Sequence, residues 1–123
     1  MPVSWQIRNG LVRLESDEAA TFEEWRDAVD AAIADPAFRA GMGIIHDWRK
    51  HANALPTAEV SKRSEYLARN AARFGRTRWA LLVDNSVGYG MGRMAETLTG
   101  SGAVVRVFRD PVEAEAWARG DGT

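Results

Sequence analysis

Trp79-Ala-Leu-Leu-Val-Asp-Asn-Ser-Val-Gly-Tyr-Gly-Met-Gly-Arg-Met94 is the stretch that decides the fold. Its first five residues, Trp79 to Val83, are apolar without a break and too few for a helix, the pattern of a central strand buried on both faces. Asp84-Asn85-Ser86 ends the run, and Ser86 can cap a following helix. Val87, Met91, Met94 and Leu98 then recur at helical spacing, up to a stop at Gly100 to Gly102. A doubly buried strand feeding a helix predicts a parallel sheet with crossover helices.

Towards the N-terminus the same unit recurs. Gly43 to Trp48 reads as a strand containing Ile44 and Ile45, and Arg49 to Pro56 as a polar loop. Thr57 is expected to cap a helix running to about Phe74, with Val60, Leu67, Ala71 and Phe74 inward and Gly75 as its stop. Before that strand, Thr21 and Glu24 form a capping box ahead of the stripe Phe22, Trp25, Val29 and Ile33, which Pro36 ends. Ser4 to Glu15 reads as a hairpin about Asn9-Gly10, the residue pair that a type I′ turn favours. A two-residue turn sets Ile7 opposite Val12 and Trp5 opposite Leu14 on one face, with Gln6 and Arg13 on the other.

On the C-terminal side, Ala103 to Phe108 is the last strand, and Arg106 marks it as an edge or a half-exposed face. Asp110, Pro111 and Glu113 open a final helix as cap, first residue and capping-box partner, and Trp117 is expected to anchor it on the sheet. The order is a β-hairpin followed by α-β-α-β-α-β-α in one α/β domain over residues 1–120, with 121–123 as a frayed tail. The 123 residues suffice for one core, and the composition, 46% hydrophobic and 27% charged, is that of a globular chain.

Several function classes fall away on composition. With no Cys there are no disulfides, thiolate metal sites or Cys nucleophiles, and the chain suits a reducing compartment. Met1 to Gly10 lacks the apolar run of a signal peptide, and no stretch is long enough for a membrane span, so a cytoplasmic location is expected. The net charge of −1 gives no global pull on nucleic acid. Lys62, Arg63, Arg69, Arg73, Arg76 and Arg78 form a local basic run, but aromatic residues are not interleaved on that face as base stacking requires. Nucleic acid is not expected as a partner. The acidic segment Glu15 to Asp35 and that basic run read as two solvated faces, or as patches that pair within the chain or between copies.

Catalytic and cofactor motifs are weak. Gly88-Tyr-Gly-Met-Gly92 invites a dinucleotide reading, yet the third glycine of G-x-G-x-x-G would fall at Arg93, so close packing of helix on sheet is the better account. His46 and His51 lack metal-ligand spacing, and His46 alternates with Ile44 and Trp48 as a hydrogen-bonded core residue. G-x-S-x-G is absent. No cofactor and no metal are expected. In parallel sheets, ligands sit beyond the carboxyl ends of the strands. That places Asp47, Arg49 and His51 on one loop and Asp84, Asn85 and Ser86 on the next, with Tyr89 beside them as a lid. The plainer alternative is that Asp47 and Arg49 pair locally and Ser86 only caps.

This order resembles the anti-sigma-factor-antagonist type of domain (SpoIIAA-like, STAS), whose right-handed β-α superhelix is shared with CRAL-TRIO lipid-binding domains. The likeness rests on Gly43-Ile-Ile-His-Asp-Trp-Arg49, Trp79-Ala-Leu-Leu-Val-Asp84, Ser86 to Met94, and Val105-Arg-Val-Phe-Arg-Asp110 ahead of Glu115-Ala-Trp117. It implies a bacterial, mostly parallel five-stranded sheet in a non-catalytic domain. Regulatory members carry a phosphorylated Ser at a helix start; here Leu55-Pro-Thr57-Ala58 offers only Thr57, and the Asp-Ser pair typical of them is missing. The reading placed first is protein–protein interaction or regulation, with a homodimer because one-way winding leaves one sheet face to be covered. The alternative is a module for a small apolar or anionic ligand or a lipid at the sheet's C-terminal edge. An enzyme would need Asp47, His51 or Asp84 as acid or base.

Overall fold

Five strands add to the sheet in the order in which they occur along the chain. The computed structural model describes residues 3–17, 20–50, 56–98 and 103–120. Strands β1 (Val3–Arg8) and β2 (Leu11–Ser16) form the antiparallel hairpin, and β3 (Gly43–Asp47), β4 (Thr77–Leu82) and β5 (Ala103–Phe108) follow in parallel. The sheet order is β1-β2-β3-β4-β5. Asn9 and Gly10 have φ of 56° and 76°, the positive pair the turn requires, and Ile7–Val12, Trp5–Leu14 and Gln6–Arg13 are cross-strand partners as expected.

Helix α1 (Phe22–Ala34) carries the Thr21–Glu24 capping box, with both reciprocal bonds formed. The second helix departs from expectation. Pro56, not Thr57, is the N-cap of α2 (Thr57–Arg69), and Thr57 is an exposed first-turn residue. That helix breaks at Asn70, and one further turn, α3 (Ala71–Phe74), ends at Gly75 with φ 69°. Helix α4 (Ser86–Leu98) is capped by Asn85 instead of Ser86: the Asn85 Oδ1 accepts from Gly88 N at 2.7 Å, and Ser86 is already helical. Val87, expected inward, is 43% exposed. The side chains of Met91, Met94 and Leu98, and residues 99–102 and 121–123, lie outside what is described. On α5 (Pro111–Arg119) Asp110 accepts from Val112 N at 2.9 Å, in place of the expected pairing with Glu113.

The two sheet faces differ. On one, α1, α2 and α3 cover Val12, Leu14, Ile44, Trp79, Leu81 and Val105, together with Trp25, Tyr66, Leu67 and Phe74. On the other, α5 covers Leu11, Ile45, Ala80 and Leu82 through Ala114 and Ala118. Trp117 stacks near Phe108 with ring centroids 5.5 Å apart and lies between Arg78 and Arg106, so it anchors α5 as expected. The face that the homodimer argument took as open is therefore covered in its centre by the chain's own last helix.

The glycines of α4 divide. A Cβ on Gly92 would lie 2.7 Å from the Val107 Cβ, and one on Gly88 3.1 Å from Val83, so close packing explains both. Gly90 faces open space, and nothing in the structure explains it. The acidic and basic segments meet at one cluster: Asp30 of α1 accepts from the Tyr66 hydroxyl and pairs with Arg73 at 3.3 Å. Elsewhere they pair locally, as in Lys62–Glu59 and Arg69–Glu65.

Candidate functional site

Parallel pairing of β3 with β4 puts the loops that follow them on one rim, and Trp48 N donates to Leu82 O at 2.8 Å to extend the pairing beyond the strands. Asp47 and Arg49 are joined there. Arg49 donates from Nε at 3.0 Å and Nη2 at 2.8 Å to the two carboxylate oxygens of Asp47, and its backbone N donates to Oδ1 at 2.9 Å. Burial pushes the Asp47 carboxyl up, but the hydrogen bonds and charge of Arg49, helped by Lys50, outweigh it and hold Asp47 below the usual carboxylate range. The hydrogen bond to Asp47 raises Arg49 above its usual range, with the charge of Asp84 contributing, so Asp84 belongs to the same rim.

Asn85 donates to Asp84 Oδ1 at 3.1 Å and caps α4, and Ser86 begins that helix. Tyr89, one turn further on, carries the Arg109 guanidinium over its ring at 4.8 Å. Tyr89 thus meets Arg109, a residue that no sequence motif singles out. His51 lies outside the described residues. On the outer sheet face, Asp47 and Arg49 also border an open polar groove of ≈ 410 Å³ over β1, β2 and β3. Its charges are largely paired: Arg13 with Glu115 at 2.9 Å, and Glu15 with Lys50 at 2.5 Å. Arg13, with Arg119 assisting, holds the Glu115 carboxyl below its usual range.

A second space lies between the sheet and α2. It is a cavity of ≈ 40 Å³ whose wall includes Trp25, His46, Trp48, Leu67, Trp79 and Arg63. His46 is a core residue as expected: it is 1% exposed, its Nε2 lies 2.8 Å from Ser16 Oγ, and the Trp48 indole N–H donates to Nδ1 at 3.1 Å. Arg63 is the anomaly. It is 6% exposed, and none of its three side-chain nitrogens has a hydrogen-bond partner among the described residues. Its guanidinium lies over the Trp25 ring at 5.3 Å. Burial pulls it down to about 10, only partly offset by the charge of Glu59, and it stays cationic at neutral pH. Glu59 pairs with Lys62 instead.

Helical geometry places Arg63 there. Val60 and Leu67, both buried, are three residues before and four after it, so all three share one face of α2. By charge Arg63 reads as part of the basic run, although its spacing from Val60 and Leu67 puts it on the inward side. Among the described residues no group of three His, Cys, Asp or Glu side chains is placed to hold a metal ion, and no helix is long and apolar enough to cross a membrane.

No known protein family matches the chain, and no curated protein matches it in sequence. A solved structure does: an uncharacterised protein of the DUF3478 family with a SpoIIAA-like fold from Shewanella loihica PV-4. The two superpose with a TM-score of 0.62 over 94% of this chain and 91% of that one, at 12% sequence identity. The expected SpoIIAA-like α/β architecture is thereby shown, and at that identity the likeness concerns the fold.

Proposed function

We propose that this SpoIIAA-like domain is a non-catalytic binding module that holds a small organic ligand between the sheet and α2. The observation that supports this most is the cavity beneath α2, with aromatic walls and a buried Arg63 that has no hydrogen-bond partner among the described residues. Protein interiors are close-packed and satisfy their polar groups, and concave apolar sites with a few polar groups are where ligands bind. The proposal moves the ligand from the rim, where Asp47 and Arg49 already satisfy one another, to the interior.

The test is ligand-observed NMR with a panel of small fragments, run beside the variant Ser64→Leu. Ser64 is buried in the cavity wall, and the added methylenes fill the space. At least one fragment is expected to bind, and Ser64→Leu is expected to remove that binding while the domain stays folded. Absence of any binder, or binders indifferent to Ser64→Leu, would end this reading.

Protein contact, the reading placed first on sequence, keeps one supporting observation. The outer face of β1 and β2 carries Ser4, Gln6, Arg8, Arg13 and Glu15 along an open groove, continuous with Asp47 and Arg49. A protein partner or a second copy would use that face and the rim residues Asp84, Asn85, Ser86 and Tyr89. For the homodimer, whose open sheet face α5 covers, analytical ultracentrifugation is the test: a monomer throughout micromolar concentrations would exclude it.

A further inference from the structure

We infer that Arg63 is an anion receptor and that the ligand of the cavity is a small organic monocarboxylate, its head on the guanidinium and its apolar remainder against the tryptophans. This rests on the reading of the domain as a ligand-binding module and specifies its ligand. Three observations converge. First, Arg63 borders the cavity, and its Nε, Nη1 and Nη2 are all buried and lack an acceptor among the described residues. An arginine fork matches a carboxylate with two parallel hydrogen bonds, and such charge-assisted pairs are the strong ones.

Second, the charge count selects a monoanion. Among the described residues no carboxylate forms an ion pair with Arg63; Glu59 acts on it only through its charge and pairs with Lys62 at 3.6 Å. One buried cation is neutralised by one negative charge; a dianion would leave a net charge in an apolar enclosure, where it is penalised. Third, size and wall chemistry limit the rest of the molecule. The ≈ 40 Å³ of free space holds only a few water-sized groups, and Trp48, Trp79, Leu81 and Val105 offer it apolar surface. A short aliphatic acid satisfies all three conditions. A sugar phosphate or a nucleotide does not.

The experiment compares acids with their neutral isosteres on the whole chain. Propionate and butyrate are titrated by calorimetry and by tryptophan fluorescence, beside propionamide and butyramide. The same series is repeated on Arg63→Met, which keeps length and apolar contact but no charge, and on Arg63→Lys. At least one acid is expected to bind the wild-type chain tenfold or more tightly than its amide. Arg63→Met is expected to abolish that preference and Arg63→Lys to keep part of it. The proposal is overturned if amides and acids bind alike, an outcome that leaves the ligand-binding reading standing. It is also overturned if the preference for acids survives in Arg63→Met. If neither series binds at millimolar concentration while the fragment panel yields a cavity binder, the monocarboxylate is wrong; if nothing binds in either experiment, both proposals fail together.

Discussion

Arg63→Met is expected to raise the melting temperature by about 5 °C, an unusual result for the loss of a large buried side chain. The downward pull of burial on the guanidinium measures how poorly its charge is accommodated, a penalty on the order of 3 kcal/mol at about 1.4 kcal/mol per tenfold change in proton affinity. Stacking over Trp25 at 5.3 Å returns part of that, about 1–2 kcal/mol for a desolvated cation on an indole. Methionine fills a similar length, retains a favourable sulfur–aromatic contact and has no charge to bury. The net gain is about 1–2 kcal/mol, which for a domain of this size corresponds to several degrees. Thermal unfolding followed by circular dichroism measures it. A fall in melting temperature would mean that Arg63 has an acceptor that holds it in place, and would remove the ground for treating it as unsatisfied. A rise in stability joined to a loss of acid binding is the signature of a residue kept for a ligand at the expense of the fold.

Gly43→Ala is expected to act in the opposite direction and more strongly, lowering stability by about 3 kcal/mol and the melting temperature by about 12 °C. Gly43 begins β3 on the side where α5 docks. A Cβ there would lie 2.0 Å from the Ala118 carbonyl oxygen and 2.6 Å from its carbon. The obstacle is backbone, so no rotamer change relieves it, and the helix has to move away from the strand. That displacement opens the smaller core of Leu11, Ile45, Ala80, Leu82, Ala114 and Ala118 to water. The near-ultraviolet circular dichroism of Trp117, which packs on Phe108 and between two arginines, is expected to weaken with it. A variant that melts within 2 °C of the wild type would show that α5 docks more loosely than described.

Most of the architecture was legible because local rules and global packing agree. Asn9-Gly10 has one good turn conformation, and that turn fixes the register of Trp5 against Leu14. Trp79 to Val83 reads as a central strand because it is buried on both faces, by α1 and α2 on one side and α5 on the other. The misreadings come from residues with competing local options. Asn85 and Ser86 are both good caps, and only the geometry of the turn after β4 selects Asn85. Thr57 follows a proline whose fixed φ already sets the helix start, and its hydroxyl is left exposed. Asn70 breaks α2 by taking a non-helical conformation, a choice that helix propensity alone does not reveal.

The candidate site was legible only in part. Asp47, Arg49, Asp84, Asn85 and Ser86 were placed on one rim by the parallel topology, and they share it. The cavity was not foreseen, although Trp25, His46, Val60, Leu67 and Trp79 of its wall were assigned inward. Whether Trp25, Trp48 and Trp79 meet tightly or leave a space depends on side-chain shape and on the tilt of α2, and a pattern of apolar positions carries neither. Arg63 was hidden by its own charge, which outweighed in the reading the helical spacing that set it beside Val60 and Leu67.

The sequential strand order has a consequence for how the chain comes into being on a ribosome. Each new strand finds its neighbour already made, so the sheet can grow by accretion, and no later segment has to insert between two earlier ones. The exception is α5, which reaches back across β4 to β3. Until that helix emerges, Ile45, Ala80 and Leu82 present an apolar strip to water, and the sheet is complete before its second face is covered.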